Sequence, residues 1–341
     1  MTASSLMLVA KPAHAETTFT VTNTADPGDG ICGPSGCTLR EAITAANNTP
    51  GADRINFHIG PVSEVKTISP TSGLPAITEA VFIDGYSQPG ATENTQFVGT
   101  NAKLLIELDG TNASGFDGIT IEASNVEVQG LVINDFASGI SIRNGASNAK
   151  IEGNFIGTNP SGTGDQGNTF NGVEILFGGS DNVVIGGAPR TAHNLISGND
   201  KNGVLIQESS SNSVLGNLIG TKKDGKNALG NARAGVFIVD SAQNFVGGEV
   251  LGKPNTIAFN GGDGVEIQEA FSVPFDGFFN RILNNSVYSN GGLGIDLVGG
   301  IESATGATAN DPGDADTGAN QLQNKPFITS ASTSSDGITI L

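Results

Sequence analysis

The amino-acid sequence predicts an all-β fold, a right-handed parallel β-helix in which successive coils stack into a solenoid. Three observations lead to this prediction: a strand pattern that recurs every 21 to 33 residues, asparagines at fixed places between the strands, and a composition rich in turn formers. The 341 residues include 49 Gly, only 15% are charged, and Trp is absent. Such a chain consists of short apolar segments joined by turns.

The repeat is a glycine followed by a strand of the form apolar–x–apolar. Gly118 and Gly139 are 21 residues apart, which fits a bare coil, and the later steps add a loop of about ten residues. The glycines are Gly118, Gly139, Gly172, Gly203, Gly235, Gly264 and Gly294. Because alternate residues of a strand face opposite sides, the first and third apolar residues should stack in the core. Examples are Val173/Ile175, Val204/Ile206, Val236/Ile238 and Val265/Ile267.

Asparagines recur at three corners between the strands. Asn tolerates the left-handed backbone conformation, and its amide can bond to the same amide of the next coil, which suits stacked coils in register. We expect a first column of Asn125, Asn148, Asn182, Asn212 and Asn244, a second of Asn154, Asn194, Asn217, Asn255 and Asn285, and a third that includes Asn199, Asn260 and Asn290.

Residues 16–60 should form a cap at the N-terminal end of the solenoid. Thr38 and Glu41 have the spacing of a capping box, and the helix that they begin should plug the open end, since a terminal coil otherwise exposes its core. Cys32 and Cys37 are the only cysteines and are expected to form a local disulfide. A two-thiolate metal site is the alternative, but it would need further ligands and no His or Cys lies nearby.

The two ends of the chain differ from the solenoid predicted for residues 61–300. Residues 1–15 are interpreted as a signal peptide, with a cleavage site at Ala13-His14-Ala15, although the apolar run is short and the leader could begin upstream. An ordinary frayed terminus is the alternative. Residues 301–341 form an acidic segment that ends as a strand begins, so we expect a further β-domain beyond it.

The chain is strongly acidic, with a net charge of −18 and a pI near 4.3. This charge argues against nucleic acid and anionic membranes as partners, and it should repel a polyuronate unless metal ions bridge the two. Apart from the N-terminal segment, no stretch approaches the ~18 apolar residues of a membrane span. We therefore expect a secreted or cell-surface monomer with an extracellular polysaccharide or surface ligand as its partner.

The motif CTLREAITAANN at residues 37–48 resembles the N-terminal signature of bacterial exported proteins named for a Cys-Ser-Leu-Arg-Glu-Ala motif, with Thr38 in place of the serine. The segments FIDGYSQPGA, GGLGIDL and NDPGDADTGANQLQN are similar to right-handed parallel β-helix repeat proteins of the pectin-lyase-like class. The resemblance covers nearly the whole chain and implies the fold. It implies no single function, because the class contains lyases, hydrolases, epimerases and adhesins.

Acidic residues recur on the outward side of the predicted strands. Glu266 and Asp296 should occupy adjacent strands, about 4.8 Å apart. Paired acids at this spacing suit a glycosidase centre, so these two are the candidate catalytic residues. Three positions further on, Glu208, Asp240 and Glu269 should stack and could bind Ca²⁺. The alternative is a solvated acidic corner.

A second candidate calcium site is the loop that contains Asp311, Asp314 and Asp316, whose carboxylates alternate with glycines. A metal-free polar linker is the alternative. Lyases of this fold class usually need a basic residue beside calcium-binding acids, and the candidates, none in a diagnostic motif, are Arg190, Lys222, Lys223, Arg233 and Arg281.

Two functions remain open from the sequence. The first is a non-enzymatic module for adhesion or polysaccharide contact, which bound Ca²⁺ could stiffen. The second is a Ca²⁺-assisted polysaccharide lyase, epimerase or glycoside hydrolase. The absence of a catalytic motif and the scarcity of Trp and Tyr favour the first, because sugar-binding sites use those aromatic residues.

Overall fold

The computed structural model describes residues 15–177, 180–249, 254–269, 279–299, 306–315, 317–325, 331–334 and 337–340. In these residues three parallel sheets of nine, eight and seven strands run along the chain, and strands that neighbour each other in a sheet come from successive coils. The fold is a right-handed parallel β-helix, as the sequence predicts.

Each sheet contains one short strand from most coils. The first sheet consists of Thr18–Val21, Asp53–Phe57, Val81–Asp84, Glu127–Gln129, Lys150–Glu152, Val184–Gly186, Ser213–Leu215, Phe245–Gly247 and Arg281–Leu283. The second consists of Lys66–Ile68, Ile106–Asp109, Leu131–Asn134, Phe155–Ile156, Leu195–Ile196, Leu218–Ile219, Thr256–Ala258 and Ser286–Tyr288. The third consists of Ile119–Ile121, Ile140–Ile142, Val173–Leu176, Val204–Gln207, Val236–Val239, Val265–Gln268 and Ile295–Val298.

The remaining regular elements are short. One α-helix spans Leu39–Asn48, and 3-10 turns span Gly85–Ser87, Arg190–Ala192 and Ala319–Leu322. Ala331–Ser334 and Gly337–Ile340 form an antiparallel pair near the end of the chain. None of the helices in the described ranges is long and apolar enough to cross a membrane.

The core of the solenoid is a stack of aliphatic side chains in register. In the third sheet Val173 pairs with Val204 and Ile175 with Ile206, and the alternation continues through Val236 and Ile238. The predicted pairs are all buried in one continuous core, so the prediction of the inward-facing residues is confirmed. Aliphatic residues recur because a stacked position must fill the same cross-section in every coil.

Two of the three predicted asparagine columns form buried ladders. In the second column each side-chain amide donates to the side-chain oxygen of the next asparagine, and five members run from Asn154 to Asn285. The third column does the same and also includes Asn168 and Asn231. Each member also donates to a backbone carbonyl inside the coil, for example Asn217 to Ile185 at 2.9 Å. The ladders therefore satisfy buried backbone groups at the corners.

The first predicted column is wrong in its alignment. The strand register places Asn125, Asn148 and Asn182 opposite Ser211 rather than Asn212. These aligned residues have positive φ angles and form the turn itself. Asn212 belongs to the next column, a buried ladder that continues through Asn244, Asn280 and Asn320. The same residue type thus serves a strained turn in the early coils and a buried amide ladder in the later ones.

The N-terminal cap contains the predicted helix and disulfide. Thr38 caps the helix Leu39–Asn48 in a complete capping box with Glu41, and Leu39, Ala42 and Ile43 pack into the core of the solenoid. Cys32 and Cys37 form a disulfide. Strands 18–21 and 53–57 belong to the first sheet, so that sheet runs across the boundary predicted near residue 60. The helix Leu39–Asn48 closes the end of the coil stack. The strands on either side of it in the sequence already belong to the first sheet.

Arg40, in the motif at residues 37–48, joins the cap to the first loop of the solenoid. Its guanidinium forms an ion pair with Asp26 at 2.7 Å and donates to the backbone carbonyl of Gly73, also at 2.7 Å. Burial alone would raise the pKa of Asp26, but hydrogen bonds from Arg40 and Thr71 hold that pKa below its ordinary value. Arg40 is therefore a structural residue that positions the loop around Gly73.

Replacing Glu41 with Ala should destabilise the cap. The Glu41 carboxylate accepts the backbone N–H groups of Thr38 at 2.8 Å and Gly30 at 2.6 Å, so the variant leaves two backbone donors without acceptors. We expect a loss of about 3 kcal/mol in the free energy of unfolding, measured by urea denaturation. Thr44→Ala, on the exposed side of the same helix, is the control and should change it by less than about 0.5 kcal/mol. Equal stabilities of the two variants would contradict the structural role of Glu41.

The contribution of Glu41 should depend on pH. Burial alone would raise its pKa, but the backbone donors Thr38 and Gly30 hold the pKa below the ordinary 4.5. A group whose pKa is lower in the folded state contributes stability above its ordinary pKa and loses it as the pH falls through the folded value. The difference between the wild-type protein and Glu41→Ala should therefore shrink below pH 4.5.

The acidic C-terminal segment covers the other end of the stack. Thr308 donates to the carbonyl of Gly299 at 2.9 Å, and Ala319 joins the continuous core. Asn320 extends an asparagine ladder by accepting the backbone N–H of Asn280 at 2.9 Å. Residues 306–315 and 317–325 therefore serve in part as a C-terminal cover.

Candidate functional site

The outer surface of the third sheet carries a continuous column of side chains, one from each strand. The strand register pairs Thr120 with Ser141, Ser141 with Glu174 and so on, and the predicted order is Thr120, Ser141, Glu174, Leu205, Phe237, Glu266 and Asp296. Six steps of strand spacing give this column a length of about 29 Å. Ser141 and Glu174 are buried, whereas the other five side chains of the column are partly exposed, and we call this side of the third sheet the outer face.

Glu266 and Asp296 lie on adjacent strands near the C-terminal end of the outer face, as predicted, and we call them the acid pair. Burial, together with the neighbouring charges of Asp263 and Asp296, raises the pKa of Glu266 to about 6, while the charge of Arg233 acts in the opposite direction. Asp263 is fixed in place because its carboxylate accepts the backbone N–H of Leu293. Three charged groups, Asp263, Asp296 and Arg233, thus surround a carboxyl that holds its proton at mildly acidic pH.

A carboxyl group with a raised pKa beside a second carboxylate can perform acid–base chemistry. The protonated group donates a proton to a leaving oxygen, and the ionised group acts as a nucleophile or base. Strand spacing separates the two backbone positions by about 4.8 Å. Retaining glycosidases place their two carboxyl groups about 5 to 5.5 Å apart, a separation that side chains on neighbouring strands can reach.

The N-terminal end of the outer face contains a cleft of about 380 Å³. Phe116, Asp117, Thr120 and Arg143 line it, and the loop around Gly73 forms its other wall; we call it the N-terminal cleft. Phe116 is 54% exposed, and its ring passes close to Gly73, where even a Cβ atom would lie 2.7 Å from the ring. The cleft therefore offers an exposed aromatic surface beside charged groups.

The charged groups of the N-terminal cleft are paired. Arg143 contacts Glu122 at 3.0 Å and Asp117 at 3.6 Å. Burial raises the pKa of Asp117, and the charge of Glu174 raises it further, while Arg143 acts in the opposite direction. Asp117 therefore remains a strong hydrogen-bond acceptor whose charge is balanced by the guanidinium of Arg143.

Glu174 and Ser141 lie behind the cleft on the same column. The buried Glu174 carboxylate accepts hydrogen bonds from the hydroxyl of Ser138 at 2.8 Å and the amide of Asn171 at 3.0 Å. The Ser141 side chain is fully buried beside the Asp117 carboxylate, so it supports the floor of the column rather than its surface.

A row of aromatic and basic side chains borders the outer face. Phe170 is 42% exposed, and the Lys201 ammonium lies 4.1 Å from the centre of its ring. Backbone hydrogen bonds join the loop of Phe170 to Lys201 and that of Lys201 to Arg233. Exposed aromatic surface is therefore available, although the sequence has few Trp and Tyr.

The other predicted site residues are less clustered. Glu208, Asp240 and Glu269 follow one another on successive strands, but Asp240 is buried whereas Glu208 and Glu269 are exposed. Asp311 and Asp314 accept backbone N–H groups of Ala315 and Asn324 within their own loop. Asp316 lies outside the described residues. No group of three or more Asp, Glu, His or Cys in the described ranges is arranged to hold a metal ion. Calcium binding stays a prediction.

The N-terminal cleft is not predicted from the sequence. Arg143 is not among the candidate basic residues, although it follows Ser141 by two positions and so faces the same side of the strand. Asp117 and Phe116 immediately precede the first repeat glycine. The strand alternation could have placed Arg143 on the outer face, but nothing in the sequence brings the loop around Gly73 next to Phe116.

Several solved structures are similar to the chain. The periplasmic alginate epimerase AlgG aligns with a TM-score of 0.40 at 15% identity, over 76% of this chain and 51% of that one. The A-module of a mannuronan C-5 epimerase from Azotobacter vinelandii aligns with a TM-score of 0.40 at 15% identity, over 76% and 67%. A pectate lyase aligns with a TM-score of 0.28 at 12% identity, over 95% of both chains.

These similarities concern the fold alone. The chain spans about half the length of the alginate epimerase that it matches. No protein-family model matches the sequence, and no curated protein matches it. At TM-scores of 0.28 to 0.40 these alignments assign no activity to the chain.

Proposed function

We propose that the chain is a secreted or cell-surface glycoside hydrolase that binds a polysaccharide along the outer face and cleaves it at the acid pair. The observation that carries this proposal is the pairing of Glu266 and Asp296 on adjacent strands, with a pKa of about 6 for Glu266. Two carboxyl groups with separate roles are the usual requirement for hydrolysis of a glycosidic bond. The exposed aromatic and basic border of the outer face supports contact with a sugar chain.

The proposed reaction has two steps. Glu266 donates its proton to the glycosidic oxygen as the bond to the leaving sugar breaks, while the Asp296 carboxylate attacks the anomeric carbon and forms a glycosyl-enzyme ester. The ionised Glu266 then takes a proton from water, whose oxygen attacks the same carbon and releases Asp296. The proton balance is restored at the end of the cycle. Calcium takes no part in either step of the proposed reaction.

The experiment is a product analysis on a panel of neutral and acidic polysaccharides. We expect new reducing ends from at least one polymer, and none from the double variant Glu266→Gln/Asp296→Asn. Both replacements keep nearly the same shape, so circular dichroism and thermal unfolding should match the wild-type protein. Each reaction is run with EDTA and with added Ca²⁺, which separates hydrolysis at the acid pair from a calcium-dependent reaction.

Two results would overturn the proposal. Unsaturated products, detected by their absorption of ultraviolet light, would indicate a lyase. Elimination forms a double bond in the sugar, whereas hydrolysis forms none. Binding without any product would indicate the other function that the sequence leaves open, an adhesion or polysaccharide-contact module.

A further inference from the structure

We propose that the N-terminal cleft is a separate binding subsite for a neutral, hydroxyl-rich stretch of the glycan; this deepens and rests on the proposed function. The subsite is defined by Phe116, Asp117, Thr120 and Arg143. It lies at the opposite end of the outer face from the acid pair. Its task is to hold a long substrate rather than to react with it.

The aromatic wall of the subsite is built to stay in place. Gly73 leaves room for the Phe116 ring, since a Cβ atom there would lie 2.7 Å from Phe116 Cδ1. Arg40 in turn holds the Gly73 carbonyl at 2.7 Å, and its ion pair with Asp26 anchors it to the cap. An exposed ring fixed in one orientation can stack on the apolar face of a sugar with little loss of side-chain freedom.

The polar groups of the subsite suit hydroxyl groups. Asp117 can accept hydrogen bonds, and Arg143 and Thr120 can donate them. A sugar hydroxyl both donates and accepts, so it can satisfy this mixture.

The charge of the subsite selects against acidic polymers. The carboxylates of Asp117, Glu122 and Glu174 lie around Arg143, and two of them contact its guanidinium directly. A uronate entering the cleft would have to displace these contacts and approach the remaining negative charge. The net charge of −18 adds a general repulsion of polyanions. A neutral glycan meets neither obstacle.

The distance between the two sites requires a long ligand. Five strand steps separate Thr120 from Glu266, which corresponds to about 24 Å. A short oligosaccharide in the cleft therefore does not reach the acid pair, whereas a polymer can occupy both. Loss of the subsite should weaken the binding of polymers without changing the chemistry of the bond that is cleaved.

The test uses the full chain and measures binding by affinity electrophoresis in gels that contain a neutral polymer (cellulose ether, xylan, galactomannan or β-glucan), polygalacturonate or chitosan. We expect retardation by at least one neutral polymer. Phe116→Ala should weaken it about tenfold, because it removes one stacking contact. Gly73→Ala, which crowds the ring, should weaken it in the same direction. The matched control is Phe245→Ala, which removes an exposed ring from the first sheet and should bind like the wild-type protein.

A binding measurement separates this proposal from the hydrolase proposal. In the double variant Glu266→Gln/Asp296→Asn, the added replacement Phe116→Ala should weaken binding of the neutral polymer by the same factor as it does in the wild-type background. Binding that depends on Phe116 in a protein that cleaves nothing would support the subsite and overturn only the hydrolase. Equal binding by Phe116→Ala and Phe245→Ala, no binding to any neutral polymer, or tighter binding to polygalacturonate or chitosan at physiological salt would overturn the subsite.

Discussion

Turnover by this protein should fall about tenfold for each pH unit above pH 6, because Glu266 must carry a proton to act as the general acid. Burial raises the pKa of Glu266 to about 6, so its protonated fraction decreases above that pH. At pH 8 the rate should be about one hundredth of its value on the acidic plateau. The measurement is the pH dependence of kcat on the polymer found by product analysis.

Two charge variants should move this pH dependence in opposite directions. Asp263 raises the pKa of Glu266, so Asp263→Asn should shift the alkaline limb to lower pH. Arg233 lowers that pKa, so Arg233→Gln should shift the limb to higher pH. A merely structural role for either residue would change the rate at all pH values alike. A limb that stays in place in both variants would contradict the assignment of Glu266 as the acid.

Replacing Asn217 with Ala should destabilise the whole solenoid by about 3 kcal/mol, because several buried polar groups lose their partners at once. The Asn217 side chain donates to the carbonyl of Ile185 and to Asn255, and it accepts both the backbone and the side-chain N–H of Asn194. These groups are buried, so water cannot replace the missing atoms without a cavity. Urea denaturation followed by circular dichroism measures the loss.

The control for Asn217 is Asn148, one of the asparagines with positive φ that form the exposed turn before the first sheet. Asn148 has a φ of 58° and is exposed, and its side chain makes a 3.4 Å contact with Asn125. Asn148→Gly keeps the left-handed backbone accessible and should change the free energy of unfolding by less than about 0.5 kcal/mol. Equal effects of the two variants would mean that the buried ladder contributes no more than the exposed turn.

The sequence by itself determined the fold, the inward-facing residues and the acid pair. These features follow from a periodic pattern, since a residue that recurs at the same place in every coil must stack on its counterparts. The repeat length alone places Glu266 beside Asp296 and Val173 beside Val204. It also places the members of the second asparagine ladder. The capping box at Thr38 and the disulfide between Cys32 and Cys37 are local, and a local pattern is also readable.

Only the tertiary structure decided the features that depend on small offsets or on loops. Asn182 and Asn212 both stand near a corner, but a one-residue shift in register separates the exposed turn from the buried ladder. The N-terminal cleft joins the loop around Gly73, the turn at Phe116 and the strand that ends before Arg143. Loops of unequal length break the period, and their mutual packing depends on contacts that are distant in the chain. The repeat therefore determines the scaffold, and the irregular segments determine what it can bind.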